Sequence, residues 1–447
     1  FKNYIGTVNA SNIWVSLPAR TASGNTLVGY NLHTNFDIPL IWMLAKLKLE
    51  SGTIVGATIP GIPAILTGRS KFLSWGIASS NLDNQDLIIE QINQNNPDQY
   101  LDKSGYKNFE KRNVLINLKG EPGLTHTIKS TIRGPIIPPK SYGIESITSP
   151  STVIALKWTG LDNKDRSIES FINAMKAQNI LSAKNAFKNL VVPSYNILIA
   201  DKKNAIMVSA GKIPNRTENS GKGFGIIPTL GWENPMKWSK FIDFEENPSV
   251  TNPPDGILFN TNNKLATKEY PKHFSYDWAD NQRQLRMKEL FEKRNFHSLQ
   301  SFKEIQTDTV SPSARTLLPL LGKNLWYSQV LDVENNLFIL REKALNLLAE
   351  WNGEMSIHLP QPLIYYSWSS QFQKMVIQDE LGSQINWFES IKPDFLERVL
   401  KDIEGAGIWC DIIQTKIIET CDDIALMSLD NALVTNSKLI DPDINNW

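Results

Sequence analysis

The sequence predicts an α+β fold, β-rich in front and helical behind. Two patterns carry that prediction. Over the first 290 or so residues, short apolar runs of strand length alternate with turn clusters. After Asp280 the apolar residues recur at helical spacing instead. A front of strands and a back of helices give an α+β or layered α/β/α architecture.

The clearest strands, in order, are Thr53 to Ile59, Thr152 to Trp158, Tyr195 to Ala200 and Ala205 to Ala210. Pro and Gly punctuate them at Pro60-Gly61-Ile62-Pro63, Gly134-Pro135 and Pro253-Pro254-Asp255-Gly256. In the helical part, Leu337, Leu340, Ala344, Leu348 and Trp351 form one stripe and Cys421, Ile424 and Met427 another. Both are read as faces turned to a core. No repeat of fixed period and no low-complexity linker interrupts the chain.

The 447 residues are 41% hydrophobic and 21% charged, enough apolar material for a large folded body. Lys plus Arg and Asp plus Glu both number 46, so the net charge is zero. Nothing in that balance points to a nucleic-acid partner or an acidic tail. The longest apolar stretches, such as Ile38 to Leu47, are too short to span a bilayer. The first residue is Phe1, with no signal-peptide pattern behind it, so the chain is read as starting inside a longer gene product. Cys410 and Cys421 fit either a disulfide in an oxidising compartment or two half-buried thiols on neighbouring helices.

Familiar motifs are missing. There is no HExxH, CxxC or GxSxG, and no two of the five histidines have metal-ligand spacing. Gly221-Lys222-Gly223-Phe224-Gly225 lacks the spacing of a phosphate loop and is read as a turn.

Ser11-Asn12-Ile13-Trp14-Val15, followed by Arg20-Thr21-Ala22-Ser23-Gly24, resembles the heavy-subunit start of the penicillin acylase family. Further blocks match in order: Gly56 to Pro63, Ser74-Trp75-Gly76, Asp83-Asn84-Gln85-Asp86, Gly211 to Arg216, Gly231-Trp232, Phe259 to Asn263, and Arg283. The resemblance implies an N-terminal-nucleophile hydrolase with a four-layer αββα sandwich, made as a precursor and cut just before Ser11. On that reading, residues 1–10 are a spacer remnant, 11–290 the αββα core and 291–447 a mainly helical part of the same subunit. The implied reaction is hydrolysis of an N-acyl amide, either a penicillin or cephalosporin side chain or an N-acyl-homoserine lactone. The implied partner is a light subunit from the same precursor, and the implied location is the bacterial periplasm.

The chemistry stands beside the resemblance. A serine hydroxyl needs an adjacent base. A serine at a chain N-terminus carries one, its α-amine, whose ordinary pKa of about 7.7–8.0 lies near working pH. An amide carbonyl under attack develops an oxyanion that needs preorganised donors. By motif match these are the Asn262 side chain and the Ser79 backbone N–H. His33 matches a position near the serine and is expected to hold its amine; Arg283 is expected to order Asn262 and the amine. While Ala10 remains attached, the Ser11 nitrogen is an amide and cannot act as a base, so the chain as written is expected to be a zymogen.

Thr34, Thr67, Ile77 and Trp158 are the substrate-pocket candidates. Thr34 and Thr67 stand where penicillin G acylases carry phenylalanines, which tilts the expected acyl group toward an aliphatic one. Trp158 fits a pocket aromatic and a core tryptophan equally well. Asp83, the Gln85 carbonyl and Asp86 match three ligands of a structural calcium, although His273 stands where a further aspartate is expected. No organic cofactor is implied. The chain stops at Asn445-Asn446-Trp447, before the further strands the resemblance implies, so the fragment alone is expected to have open sheet edges and to aggregate. The rival reading is a catalytically inactive homologue serving as a binding or scaffold protein.

Overall fold

The computed structural model describes residues 10–34, 38–216, 225–233, 238, 240–266, 270–276, 278, 280–326, 336–387 and 392–447, without the side chains of 383, 386 and 387. Most of the expected spacer (1–9) and Gly221 to Phe224 of the glycine-rich turn lie outside the described residues. The chain divides into two compact units, residues 1–279 with 294–302, and residues 280–293 with 303–447.

The first unit holds the strands: β1 (Ala10–Ser16), β2 (Leu27–His33), β3 (Met43–Leu49), β4 (Gly52–Thr58), β5 (Thr67–Arg69), β6 (Ser74–Ser79), β7 (Gln85–Asn93), β8 (Asn96–Asp102), β9 (Gly105–Asn108) and β10 (Glu110–Ile116). They continue as β11 (Leu124–Thr131), β12 (Gly134–Ile137), β13 (Thr152–Trp158), β14 (Tyr195–Ala200), β15 (Ala205–Ala210), β16 (Thr229–Leu230), β17 (Ser249–Thr251) and β18 (Ile257–Asn260). Three sheets result. One has the order β18-β1-β2, one the order β17-β15-β14-β6-β5-β4-β3, and one the order β10-β11-β12-β13-β7-β8-β9 with β16 beside β7. Its helices are α1 (Pro139–Tyr142), α2 (Ser167–Lys176) and α3 (Ile180–Ala186).

The period-2 alternation of strand side chains sorts this unit into layers. On one face of the seven-stranded sheet, Trp75, Ile77, Ile197, Ile199, Ile206 and Val208 pack under Phe171, Met175 and Phe187 from the α2–α3 region. On the other, Ala78, Leu198, Ala200 and Met207 meet Ile13 and Val15 of β1 and Leu258 of β18. Trp14 points the opposite way from its neighbours and packs on Phe302, ring centroids 6.3 Å apart. Phe302 lies in the opening turns of α5 (Leu299–Gln306). Helix, large sheet, small sheet and helix therefore stack in the expected order. Gly29 makes room for Trp14: a Cβ there would lie 2.3 Å from the indole ring.

The third sheet carries a buried ion cluster. Arg133 bonds to Glu90 (3.1 Å) and Asp102 (3.0 Å), with Arg133 and Glu90 side chains 3% and 0% exposed. Thr131 Oγ1 donates to Glu90 at 2.8 Å. Desolvation pushes the Glu90 carboxyl up to about 7, against the Thr131 hydrogen bond and the Arg133 charge.

The second unit is helical: α4 (Gln282–Glu292), α6 (Pro312–Leu321), α7 (Asn336–Ala349), α8 (Gln361–Leu381), α9 (Pro393–Leu400) and α10 (Cys421–Leu439). Ser311 caps α6 ahead of Pro312, and Thr420 and Asp423 form a capping box on α10. Trp368, Phe372 and Val376 of α8 pack against Ile424, Ala425, Leu429 and Leu433 of α10, and the Trp368 indole N–H donates to the Ala425 carbonyl at 2.9 Å. Cys410 and Cys421 form a disulfide. The stripe expected on α10 fails at Met427, which is 42% exposed. At about 100° per residue, the buried arc through Ala425, Ser428, Leu429, Ala432 and Leu433 puts Met427 on the far side. Among the described residues, no helix is long and apolar enough to cross a membrane.

Candidate active site

Ser11 is the second residue of β1 and fully buried. It shares the inward face of that strand with Ile13 and Val15, so its hydroxyl points at the large sheet. There the Ser79 backbone N–H, at the end of β6, donates to Ser11 Oγ at 3.1 Å. Asn262 Nδ2 donates to the same oxygen at 3.0 Å and to the Ser79 carbonyl at 2.9 Å. The Ser11 backbone N–H donates to Asn262 Oδ1 at 2.8 Å. One carboxamide thus touches both the nitrogen and the hydroxyl of Ser11, and two N–H donors converge on the hydroxyl.

Asn262 follows β18, which pairs with β1 in the register Ile13 to Asn260. Its backbone is left-handed, with φ of 71°, a conformation asparagine tolerates better than most residues. A relay of buried amides fixes it there. Asn260 Oδ1 accepts from the Asn262 N–H (3.0 Å) and from Asn196 Nδ2 (3.1 Å). Asn196 Oδ1 in turn accepts from Ser209 Oγ at 2.6 Å. Asn260 Nδ2 donates to the Asn263 carbonyl, and Asn263 Oδ1 accepts from the Thr261 N–H. Sequence reasoning does not single out Asn196 or Ser209, and Asn263 enters it only as the end of a motif block. The crowding of Asn260, Asn262 and Asn263 was the only signal available, and it also fits a turn.

His33 sits at the end of β2, directly across from Ala10 in the β1–β2 ladder. Its Nε2 lies 3.1 Å from Asn12 Nδ2. An amide nitrogen donates, so Nε2 is the acceptor in this contact. Asn12 is a further residue that sequence reasoning did not single out. Arg283 lies in the first turn of α4, in the second unit, half-buried. Desolvation lowers its guanidinium pKa, opposed by the charge of Asp280.

The four pocket candidates are placed differently. Thr34 follows β2 and is half-buried. Thr67 opens β5, buried, with its hydroxyl donating to the Trp75 carbonyl at 3.2 Å. Thr67 also hydrogen-bonds Tyr30, whose phenol is pushed up chiefly by burial. Ile77 is buried on the helix-facing side of the large sheet. Trp158 ends β13 and lines a cleft of about 640 Å³ with Arg133, Lys157, Lys212, Trp238 and Phe241; Thr34, Thr67 and Ile77 do not line that cleft. Desolvation lowers the Lys157 pKa there, opposed by the charge of Asp86.

The calcium candidates face a cation already. Arg216 donates to the Asp83 carbonyl (2.8 Å), Asp83 Oδ1 (3.0 Å), the Gln85 carbonyl (3.5 Å) and Asp86 Oδ1 (3.1 Å). His273 Nε2 lies 2.6 Å from Asp83 Oδ2, and Trp238 Nε1 donates to Asp86 Oδ2. Among the described residues, no group of three or more His, Cys, Asp or Glu is placed to hold a metal ion. The oxygens calcium would need are already bonded to N–H groups, so the set does not fit the ion.

Known proteins establish the family and the fold. The chain is 26% identical over 387 residues to the acyl-homoserine lactone acylase QuiP of Pseudomonas aeruginosa, covering 84% of this chain and 45% of that protein. It is 22% identical over 348 residues to the penicillin acylase 2 proenzyme of a Pseudomonas species, covering 77% of this chain and 42% of that one. The chain thus spans less than half the length of these relatives. The thermostable penicillin G acylase of Alcaligenes faecalis superposes with a TM-score of 0.76 at 21% identity, over 98% of this chain and 80% of that one. That likeness establishes the shared fold. The penicillin amidase profile matches residues 2–447, so the chain belongs to the penicillin amidase family.

Proposed function

We propose that this chain supplies the nucleophile of an N-acyl amide hydrolase, acting through an acyl-enzyme on Ser11. The observation that carries the reading is the convergence of the Ser79 N–H and Asn262 Nδ2 on Ser11 Oγ, with Asn262 Oδ1 holding the Ser11 nitrogen. Maturation comes first. Ser11 Oγ attacks the Ala10 carbonyl carbon, the Ala10–Ser11 C–N bond breaks, and water then releases the Ala10 carboxylate. The freed α-amine becomes the base that takes the Ser11 hydroxyl proton. In turnover the same oxygen attacks the substrate amide. The resulting oxyanion accepts from Ser79 N–H and Asn262 Nδ2, the amine leaves with the proton, and water hydrolyses the ester. Both donors lie close to 3 Å from Oγ, so an oxygen on the carbon bonded to Oγ comes within their reach.

His33 is proposed to position the amine. The light subunit of the same precursor is the proposed partner and the periplasm the proposed location. The Cys410–Cys421 disulfide supports an oxidising compartment. Thr34 and Thr67 offer little aromatic surface, and one relative is named an acyl-homoserine lactone acylase. Together they favour an aliphatic N-acyl substrate over a phenylacetyl one. The test presents the full-length matured protein with N-acyl-homoserine lactones of increasing chain length and with a phenylacetyl amide. Release of free homoserine lactone, abolished in Ser11→Ala, is the expected result. Turnover of the phenylacetyl amide alone refutes the aliphatic assignment, and turnover by Ser11→Ala refutes the nucleophile.

A further inference from the structure

We propose that Arg216 is a built-in cation at the position where the family resemblance implies a structural calcium, so that this protein folds and matures without the ion. Oxygens surround the Arg216 guanidinium. Four of them, the Asp83 and Gln85 carbonyls with Asp83 Oδ1 and Asp86 Oδ1, accept from the Arg216 guanidinium at 2.8 to 3.5 Å. The two remaining carboxylate oxygens are engaged by His273 Nε2 and Trp238 Nε1. No carboxylate oxygen of the pair is left over.

Calcium takes six to eight oxygens at about 2.3–2.6 Å. Arg216 Nη2 alone contacts Asp83 Oδ1, the Gln85 carbonyl and Asp86 Oδ1, so the ion would have to stand where that nitrogen stands. The Arg216 and Asp86 side chains are both 1% exposed, and an unpaired charge at such depth is costly. The guanidinium also lies over the Trp238 ring at 5.7 Å. Gly225 closes the wall: a Cβ there would meet Asp86 Oδ1 at 2.6 Å. His273 brings a ring nitrogen to Asp83 where a carboxylate would have brought oxygens to an ion.

The test uses the full-length precursor and its mature form, dialysed against EGTA in metal-free buffer. Bound calcium is counted by elemental analysis and Tm is measured before and after calcium add-back. The expected result is sub-stoichiometric calcium and a Tm that calcium does not move. One calcium per chain, or a Tm that falls with EGTA and recovers with calcium, overturns the proposal. That measurement needs no variant. Two variants sharpen it. Arg216→Ala should lower Tm, in part restored by calcium. His273→Asp added to Arg216→Ala, which returns an oxygen donor to Asp83's side once the guanidinium is gone, should bind calcium more tightly than Arg216→Ala alone. An Arg216→Ala protein with unchanged Tm in EGTA also overturns the assignment.

Discussion

Asn262→Gly removes the carboxamide that serves both the nitrogen and the hydroxyl of Ser11. Glycine accepts a φ of 71° without strain, so the backbone turn survives and only the side chain leaves. Three hydrogen bonds go with it, to the Ser11 nitrogen (2.8 Å), to Ser11 Oγ (3.0 Å) and to the Ser79 carbonyl (2.9 Å). A neutral hydrogen bond contributes about 0.5–1.5 kcal/mol net to stability, so the loss of all three lowers stability by roughly 1.5–4.5 kcal/mol. The effect on rate is larger. Removing one preorganised oxyanion donor costs about 2.7–4 kcal/mol, or about 10²- to 10³-fold in kcat. Because Asn262 also orients the nucleophile, the upper end is expected, with precursor cleavage slowed to a similar degree. The assay is kcat and KM on a chromogenic N-acyl amide, with cleavage followed by gel and folding by thermal melting. Asn262→Asp gives the contrast: it keeps the acceptor for the Ser11 nitrogen but sets an anion beside Oγ, so cleavage and turnover should fall together. A kcat within about tenfold of wild type in Asn262→Gly, or a loss confined to KM, refutes the oxyanion role.

Further outcomes follow from particular contacts. The Glu90 carboxyl, raised from 4.5 to about 7, favours the folded state most below pH 4.5, and this contribution is lost as pH rises through 7. At 1.36 kcal/mol per unit, the window spans roughly 3 kcal/mol. Stability of Glu90→Gln measured against pH should therefore lack that decline, and curves parallel to wild type contradict the reasoning. Replacing Cys410 and Cys421 by serine opens a loop of sequence separation 11 and should cost roughly 3 kcal/mol, seen as a lower Tm of the helical unit that reductant does not lower further. Gly29→Ala sets a methyl group 2.3 Å from the Trp14 ring. It should destabilise the chain by roughly 1–3 kcal/mol and slow turnover by shifting β1, with unchanged Tm and kcat as the contrary result.

The parts that could be read in the sequence are those set by local pattern. Strands 152–158, 195–200 and 205–210 have the predicted bounds because buried β-branched and aliphatic runs between turn residues leave little choice. The strand expected at Thr53 to Ile59 is shifted by one residue, the usual uncertainty at an element end. Ser11, Ser79 and Asn262 were reachable through ordered family motifs, and they lie together here although 251 residues separate the first from the last. What could not be read depends on pairing between distant segments. The Asn196–Asn260 relay joins residues 64 apart and looks polar and ordinary in one dimension. Arg216 appeared only as the end of a motif block; its four oxygen partners lie some 130 residues earlier. Met427 was misassigned because three residues cannot define which arc of a long helix is buried. The placement of residues 280–293 in the helical unit and 294–302 in the other likewise depends on packing rather than on local texture.

The central claim is that Ser11 becomes a chain N-terminus and then acts as nucleophile through its own amine. Intact mass of the heavy subunit, after expression of the full-length gene, tests it most directly. The account predicts a heavy chain beginning at Ser11 in the natural protein and an uncut precursor in Ser11→Ala. A heavy chain that keeps Ala10, in a folded protein that still hydrolyses N-acyl amides, would contradict it.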